Sequence, residues 1–374
     1  MKRPDALGSL LQERIGRGGP MPFAAFMQLA LYHPTLGYYA RPEPRTGWKG
    51  DFVTSPELDP AFGRLWVAGF AQIWSACAAP GRFQVVEIGP GEGGFAEAVL
   101  DAAAGEFGKA LAYRLVERNP ELQERQRERL ARFDRIEWSE SLVDVPHVDA
   151  GVVFANEVLD NLPVHLVQNL DGQLREVCVT VAGGALALTL LPPSSPQLER
   201  FLERTGTILP EGHRMEVTLA AESFVARAAA SLSRGALLLV DYGDEAQGLA
   251  ERPHGSLVCY SSEGADDDPL ALPGQKDITA HADWTAVREA GRRTGLEMVG
   301  PHPQREVLKS LGIKEVDAAL QNDHRIALAG RKGALAVASL SRRQALRALV
   351  DEAGLGRLGV MAGLANIARP PFLT

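Results

Sequence analysis

The sequence predicts an α/β protein organised around a doubly wound sheet, and three observations predict it. Short apolar runs alternate with stretches of helical periodicity, which implies parallel strands joined by right-handed crossovers. The run Phe83-Gln84-Val85-Val86-Glu87-Ile88 opens into the glycine-rich turn Gly89-Pro90-Gly91-Glu92-Gly93-Gly94, and a helix-like stretch over 95–104 follows. Two further apolar runs end on polar residues, at Glu117 and at Asn156-Glu157, and open α/β sheets place their ligands outside such strand ends.

A first helical pattern is broken over 16–20, a second covers 23–31, and a dense Gly/Pro/aromatic segment runs over 33–60. Phe62, Leu65, Trp66, Phe70 and Ile73 have helical spacing, and Pro80-Gly81 ends that helix, predicted over 62–79. Residues 1–80 read as an N-terminal helical and loop cap, and 81–374 as the core. Strands are predicted over 83–88, 113–117 and 150–155, with a helix over 122–133 between the last two. After Pro163 the pattern becomes antiparallel: runs at 166–169 and 174–179 flank Asp171-Gly172, and 186–191 follows, an inserted meander within 165–230. A helix over 220–232 leads to a buried strand over 236–241 that ends at Tyr242-Gly243-Asp244. A helix over 284–293, a strand over 296–300, a helical insertion near 305–350 and an apolar segment over 358–364 complete the chain.

Composition narrows the function classes. The 374 residues are 45% hydrophobic and 23% charged, fractions typical of a globular chain, with a formal charge of −8. The Lys/Arg clusters at 123–129 and 342–347 are interleaved with apolar or acidic residues, so nucleic acid is not an expected partner. Cys77, Cys178 and Cys259 are far apart and lack metal-ligand spacing, which predicts no zinc site and a reducing compartment. The N-terminal residues lack a leader pattern and no apolar run reaches the ~20 residues of a membrane span, so a cytoplasmic location without a membrane partner is expected. A homodimer is an assembly this composition admits.

The glycine turn matches GxGxG and, through Gly89, Gly91 and Gly94, also the dinucleotide fingerprint GxGxxG. A pyrophosphate site uses a helix N-terminus and tolerates no unpaired acid beside it. Glu92 lies inside the turn with no Lys or Arg near it in sequence, which favours S-adenosylmethionine (SAM), a cofactor without phosphate. In that reading Gly89, Gly91 and Gly93 admit the cofactor to the backbone, Glu87 supplies an acceptor for its ammonium group, and Glu117 takes the ribose hydroxyls. A nicotinamide dinucleotide and a purely structural turn are the alternatives. Ser141 and Leu142 are candidates for the adenine side, and an ordinary loop explains them equally well. Thr54 and Ser55 either bond the cofactor or belong to a segment capping the next helix.

Asn156, Glu157 and Asp160 form the candidate catalytic group. If 157–160 is a turn, Glu157 and Asp160 point the same way and can grip one cation. The alternative is helix capping by Asn156 with a solvated acidic turn. Asp51, Glu57, Asp241 and Asp277 add negative potential to the same cleft. Methyl transfer requires the nucleophile held ~3 to 3.5 Å from the methyl carbon. A guanidinium becomes a nucleophile only when carboxylates orient it and bias its charge, so an acidic pocket suits an arginine.

Several segments in order carry a resemblance to the MidA-like methyltransferases, a family that includes a mitochondrial complex I assembly factor. They are Tyr32-His33-Pro34 with Gly37-Tyr38-Tyr39, the stretch Gly50-Asp51-Phe52-Val53-Thr54-Ser55-Pro56-Glu57 with Phe62-Gly63, the glycine turn, Leu115-Val116-Glu117, Asn156-Glu157 with Asp160 and Leu162-Pro163-Val164, Asp241-Tyr242-Gly243, and Asp277-Ile278-Thr279-Ala280-His281. The chain departs from that pattern at Glu92 and Gly94, where an Arg and a hydroxyl residue are expected, and at Asn161 in place of Ala. The resemblance implies a class I SAM-dependent methyltransferase fold, Rossmann-like with a seven-stranded doubly wound sheet. It also implies SAM as donor and symmetric dimethylation of an arginine on a complex I subunit. A SAM-binding assembly or chaperone protein, and a small-molecule or RNA methyltransferase, are the competing functions.

Overall fold

The computed structural model describes residues 6–41 and 54–374. Its central sheet consists of β1 Phe83–Ile88, β2 Leu111–Val116, β3 Ile136–Ser139, β4 Gly151–Asn156, β5 Gly235–Asp241, β6 Glu297–Pro303 and β7 Gly359–Ala365. The order across the sheet is β6-β7-β5-β4-β1-β2-β3. β1 pairs in parallel with β2 and β4, β2 with β3, and β4 with β5. β7 runs antiparallel to both β5 and β6. The chain winds outward from β1 to β3 and then resumes on the other side at β4. That reversal opens a crevice beyond the carboxyl ends of β1 and β4, where α/β sheets of this type bind ligands.

Side chains of β1 alternate between two cores. Phe83 and Val85 join Tyr113, Leu115, Val152 and Phe154, while Val86 and Ile88 join Val153, Ala155, Leu237 and Leu239. Helices Ala61–Ala76 and Gly94–Ala102 cover the first face, on which Trp66, Phe70, Phe95 and Phe154 pack with the Phe95 and Phe154 rings stacked at 4.6 Å. Each such fully buried side chain contributes ~1.5 to 3 kcal/mol. Helices Leu219–Ala230 and Trp284–Arg293 cover the second face.

The meander expected after Pro163 is present as His165–Leu170, Gln173–Ala182 and Ala185–Leu191, all antiparallel. Arg214–Val217 extends it on one side, and Met21–Pro22 pairs with Val179 and Cys178 where His165–Leu170 stops. Helices Ala6–Gly18 and Phe23–Tyr32 pack on this sheet, placing Leu11, Phe26 and Leu31 in one core with Leu166, Val177 and Val179. The described helices before residue 80 therefore divide between two cores: the first two belong to the antiparallel sheet, and Ala61–Ala76 to the main one. Chain order suggests a single cap, but the apolar faces of these helices fit different sheets. The stretch between β6 and β7 is helical, Gln304–Ser310 followed by the hairpin Ile313–Ala329 and Gly333–Val350. No helix among the described residues is long and apolar enough to cross a membrane.

Candidate functional site

The turn after β1 is built on left-handed backbone, with φ of +66° at Gly89, +53° at Gly91 and +79° at Gly93. These are conformations glycine adopts without steric cost. A Cβ at Gly89 would come within 3.1 Å of Val158, whereas one at Gly91 would project into open space. The Gly91 carbonyl accepts from Gln126 Nε2 at 2.7 Å, while its Cα side is unobstructed. Glu92 is not isolated as its sequence neighbourhood suggests: Arg125 donates to it through Nε at 3.1 Å and Nη2 at 3.2 Å, and Arg129 donates to its carbonyl at 2.9 Å. Both arginines come from the Pro120–Leu130 helix, which packs against the turn. This corrects the electrostatic reason for disfavouring a pyrophosphate, because the cations are distant in sequence but adjacent in space.

Glu87 is buried, and its Oε2 accepts a 2.6 Å bond from the Tyr113 hydroxyl. Burial pushes its carboxyl up to about 7, and the tyrosine bond opposes that shift. Tyr113 reaches Glu87 because the two residues occupy the same face of neighbouring parallel strands, a relationship periodicity alone does not reveal. Glu117 follows β2 directly, and its Oε1 accepts from the Asn119 amide at 2.7 Å, which fixes the carboxylate at the strand end. Asn119 Nδ2 in turn donates to the Tyr39 carbonyl at 3.0 Å.

Three candidates, Ser55, Ser141 and Leu142, have other local engagements. The Ser55 side chain is buried, and its hydroxyl oxygen accepts from Gln304 Nε2 at 3.3 Å. Thr54 stands at the N-terminus of the short helix Ser55–Leu58 without a side-chain capping bond. Ser141 is exposed and donates to Asp144 at 2.6 Å, while Leu142 packs partly against the second core. Asp51 and the rest of the 50–53 stretch lie outside the described residues.

The residues after β4 form a compact acidic turn rather than a capped helix. Asp241, at the end of β5, gathers it: Oδ2 accepts from the amides of Val158, Leu159 and Asp160 at 3.1, 2.8 and 3.3 Å. Glu157 adopts a left-handed φ of +52°, strained for a non-glycine residue. Its Oε1 accepts from Asn156 Nδ2 at 2.8 Å and from the Ser55 amide at 3.3 Å. Burial, then the charge of Asp241, pushes the Glu157 carboxyl up to about 8. Asp160 is held well above the usual carboxylate range by burial and by Asp241, Asp277 and Glu157. Asp241 itself is raised to about 7 by burial, opposed by the amides it accepts from. Two buried oxygens aimed at this turn have no hydrogen-bond donor, Asp160 Oδ1 and Asn156 Oδ1.

Two tyrosines from the N-terminal segment close the cluster. Tyr32 donates to the Asn161 carbonyl at 3.1 Å, and Tyr39 donates to Asp277 at 3.1 Å, their rings stacked at 5.3 Å. Asn161 Nδ2 donates to Asp277 at 3.0 Å, and the Ala280 amide to the Asp160 carbonyl at 2.8 Å. The segments Tyr32 to Tyr39 and Asp277 to His281 thus converge on the acidic turn; for Asp277 this agrees with the negative potential expected of it, while the two tyrosines entered the sequence reading only through the family resemblance.

Comparison with known proteins adds an independent finding. A family model described as "Putative S-adenosyl-L-methionine-dependent methyltransferase" matches residues 67–302. A protein of Danio rerio named "Protein arginine methyltransferase NDUFAF7, mitochondrial" is 30% identical over 341 residues, spanning 81% of this chain and 76% of its own length. The protein of that name from Homo sapiens is 30% identical and spans 81% and 72%. A crystal structure of a Burkholderia thailandensis protein bound to S-adenosyl-homocysteine has a TM-score of 0.86 and 31% identity, covering 99% of this chain and 94% of that one. The cytoplasmic location expected from the sequence is corrected by these relatives, which are mitochondrial. Widely spaced cysteines and the absence of a membrane-length apolar run carry no signal that separates one reducing compartment from another.

Proposed function

We infer the acceptor from a known donor, since the chain belongs to the S-adenosyl-L-methionine-dependent methyltransferase family and is an enzyme with SAM as its cofactor. The acceptor we propose is an arginine side chain of a protein. One observation carries this reading: Asp160 Oδ1 and Asn156 Oδ1 are buried acceptors without donors, set beside Glu157. Unpaired buried acceptors cost roughly 1 to 3 kcal/mol each, which a ligand rich in donors recovers. A guanidinium offers five N–H groups and no acceptor. The name carried by the curated relatives supports the same class of acceptor. On the family resemblance, the methylated protein is a complex I subunit and the product a symmetric dimethylarginine.

The chain's own residues fit the donor, because a Cβ at Gly91 would project into open space in a turn that follows a strand carrying the buried acid Glu87. Glu87 and Glu117 would hold its ammonium and ribose groups, with Gly89, Gly91 and Gly93 shaping the turn. When bound, SAM supplies a methyl carbon made electrophilic by its sulfonium. Glu157 and Asp160 orient the guanidinium and draw its charge toward the nitrogens that do not react. In this reading Asp160, once it has lost its own proton to solvent on entry of the cation, takes up the proton that the reacting nitrogen gives up. The protons held by the cluster near neutral pH leave when the cation enters, so the empty site avoids an accumulation of buried charge.

Radiolabelled SAM added to the protein with a cell extract, followed by hydrolysis and separation of methylated amino acids, tests the proposal. Methylarginine is expected, and Asp160→Asn should reduce it about tenfold to a hundredfold while leaving SAM affinity by isothermal titration unchanged. Label in RNA or in a small molecule would replace the acceptor. SAM binding with no transfer to any acceptor would favour an assembly role instead.

A further inference from the structure

Half of the large hydrophobic side chains exposed among the described residues sit on one helical hairpin: Ile326, Leu328, Leu335, Val337 and Leu340, each between 43% and 64% exposed. The hairpin's root is fastened to the main core through Leu320, Leu346 and Leu349. Arg342 donates to Asp59 at 2.8 and 3.1 Å, and Arg343 to Asp317 at 2.7 and 3.0 Å, so the root arginines are neutralised. Toward the tip, Ala327 and Ala336 are buried while the larger aliphatic side chains turn outward. This inverts the usual pattern of an amphipathic hairpin, and exposed apolar patches of this kind mark interaction surfaces.

Charge indicates what covers the tip. Residues 324–350 contain six Lys or Arg and no Asp or Glu, in a chain whose formal charge is −8. With Arg342 and Arg343 paired at the root and Arg347 exposed there near Asp317, Arg325, Arg331 and Lys332 remain exposed around the apolar end. An apolar surface ringed by cations suits the boundary between headgroups and acyl chains of an anionic membrane. A two-fold contact with a second copy would bring the same patch onto itself, setting cations against cations with no acid from this stretch between them. We propose that the hairpin tip docks the enzyme peripherally on an anionic lipid surface, with its aliphatic side chains entering the interface and its three cations on lipid phosphates. This contact is peripheral and requires no span.

Flotation of the full-length protein with vesicles of phosphatidylcholine, alone or mixed with phosphatidylglycerol, tests the proposal. The wild type is expected to float with the anionic vesicles and not with the neutral ones. Leu335→Glu with Val337→Glu should abolish flotation. Arg331→Asn with Lys332→Gln, two exposed turn positions that leave the helices intact, should weaken partition about thirtyfold, from the attraction of two cations to the surface. Unchanged SAM affinity by isothermal titration checks that both variants are folded. Absence of wild-type flotation, equal flotation on neutral vesicles, or undiminished flotation of the charge variant would overturn the proposal. So would a solution dimer that Leu335→Glu with Val337→Glu converts to monomer.

Discussion

Replacing Glu157 by Gln is expected to remove activity and, at alkaline pH, to stabilise the protein. In the folded chain this carboxyl is raised from 4.5 to about 8, chiefly by burial and then by Asp241. The folded state therefore holds its proton more tightly than the unfolded state, so the stability linked to that proton is complete below about 4.5 and is lost as pH rises through about 8. At 1.36 kcal/mol per pH unit the full window corresponds to roughly 5 kcal/mol, an upper bound because Glu157 is partly exposed and water screens its charge. Gln preserves the oxygen that accepts from Asn156 and Ser55 but cannot ionise. The variant's stability relative to wild type should thus rise by up to about 1.4 kcal/mol per pH unit between about pH 5 and about pH 8. Urea unfolding of both proteins, followed by tryptophan fluorescence across that range, measures the difference. Methyl transfer by the variant should fall about a hundredfold, as expected when a charged partner of the guanidinium is lost. Stabilities of the two proteins that decline in parallel with pH would refute the reasoning, because Glu157 would then hold no extra proton.

Other expectations follow from single contacts. Gly91→Val should eliminate SAM binding by isothermal titration, since its side chain would enter the open space above the turn, and the φ of +53° adds about 1 to 2 kcal/mol of strain. Retained affinity would move the donor away from this turn. Tyr113→Phe removes the bond that holds the Glu87 carboxyl down against burial, so SAM affinity near neutral pH should drop about tenfold and recover at higher pH. A wild-type pH profile of SAM binding in that variant would separate Glu87 from the cofactor. Ser55→Ala should leave SAM affinity unchanged while lowering thermal stability by about 1 kcal/mol, through loss of the Gln304 bond. Weakened SAM binding would restore Ser55 as a cofactor contact.

Strands β1, β2, β4, β5 and β6, the meander and the glycine turn were legible from the sequence because their signals are local: periodicity of burial, and backbone conformations that glycine permits; β3 was not, because its four residues Ile136–Ser139 form no apolar run. The positions of Glu87, Glu117 and Glu157 were legible for the same reason, each lying at or near the end of an apolar run. β7 was visible only as apolar, since all its residues are buried and its direction depends on which strands it meets.

What the site does with its charges was decided elsewhere. Arg125 neutralises Glu92 across the packing of a helix on a turn, and Asp241 draws in the amides of residues 158–160 from a strand formed far along the chain. Tyr39 reaches Asp277 through the docking of the N-terminal helices on the inserted sheet. By itself, the sequence determined a doubly wound core, a glycine turn after its first strand and acids at strand ends, because hydrophobic pattern and glycine geometry act over a few residues. Only the tertiary structure decided which acids share protons, which hydroxyl faces which partner and which aliphatic side chains stay exposed. Desolvation and Coulomb interactions act between groups brought together in space, whatever their separation along the chain.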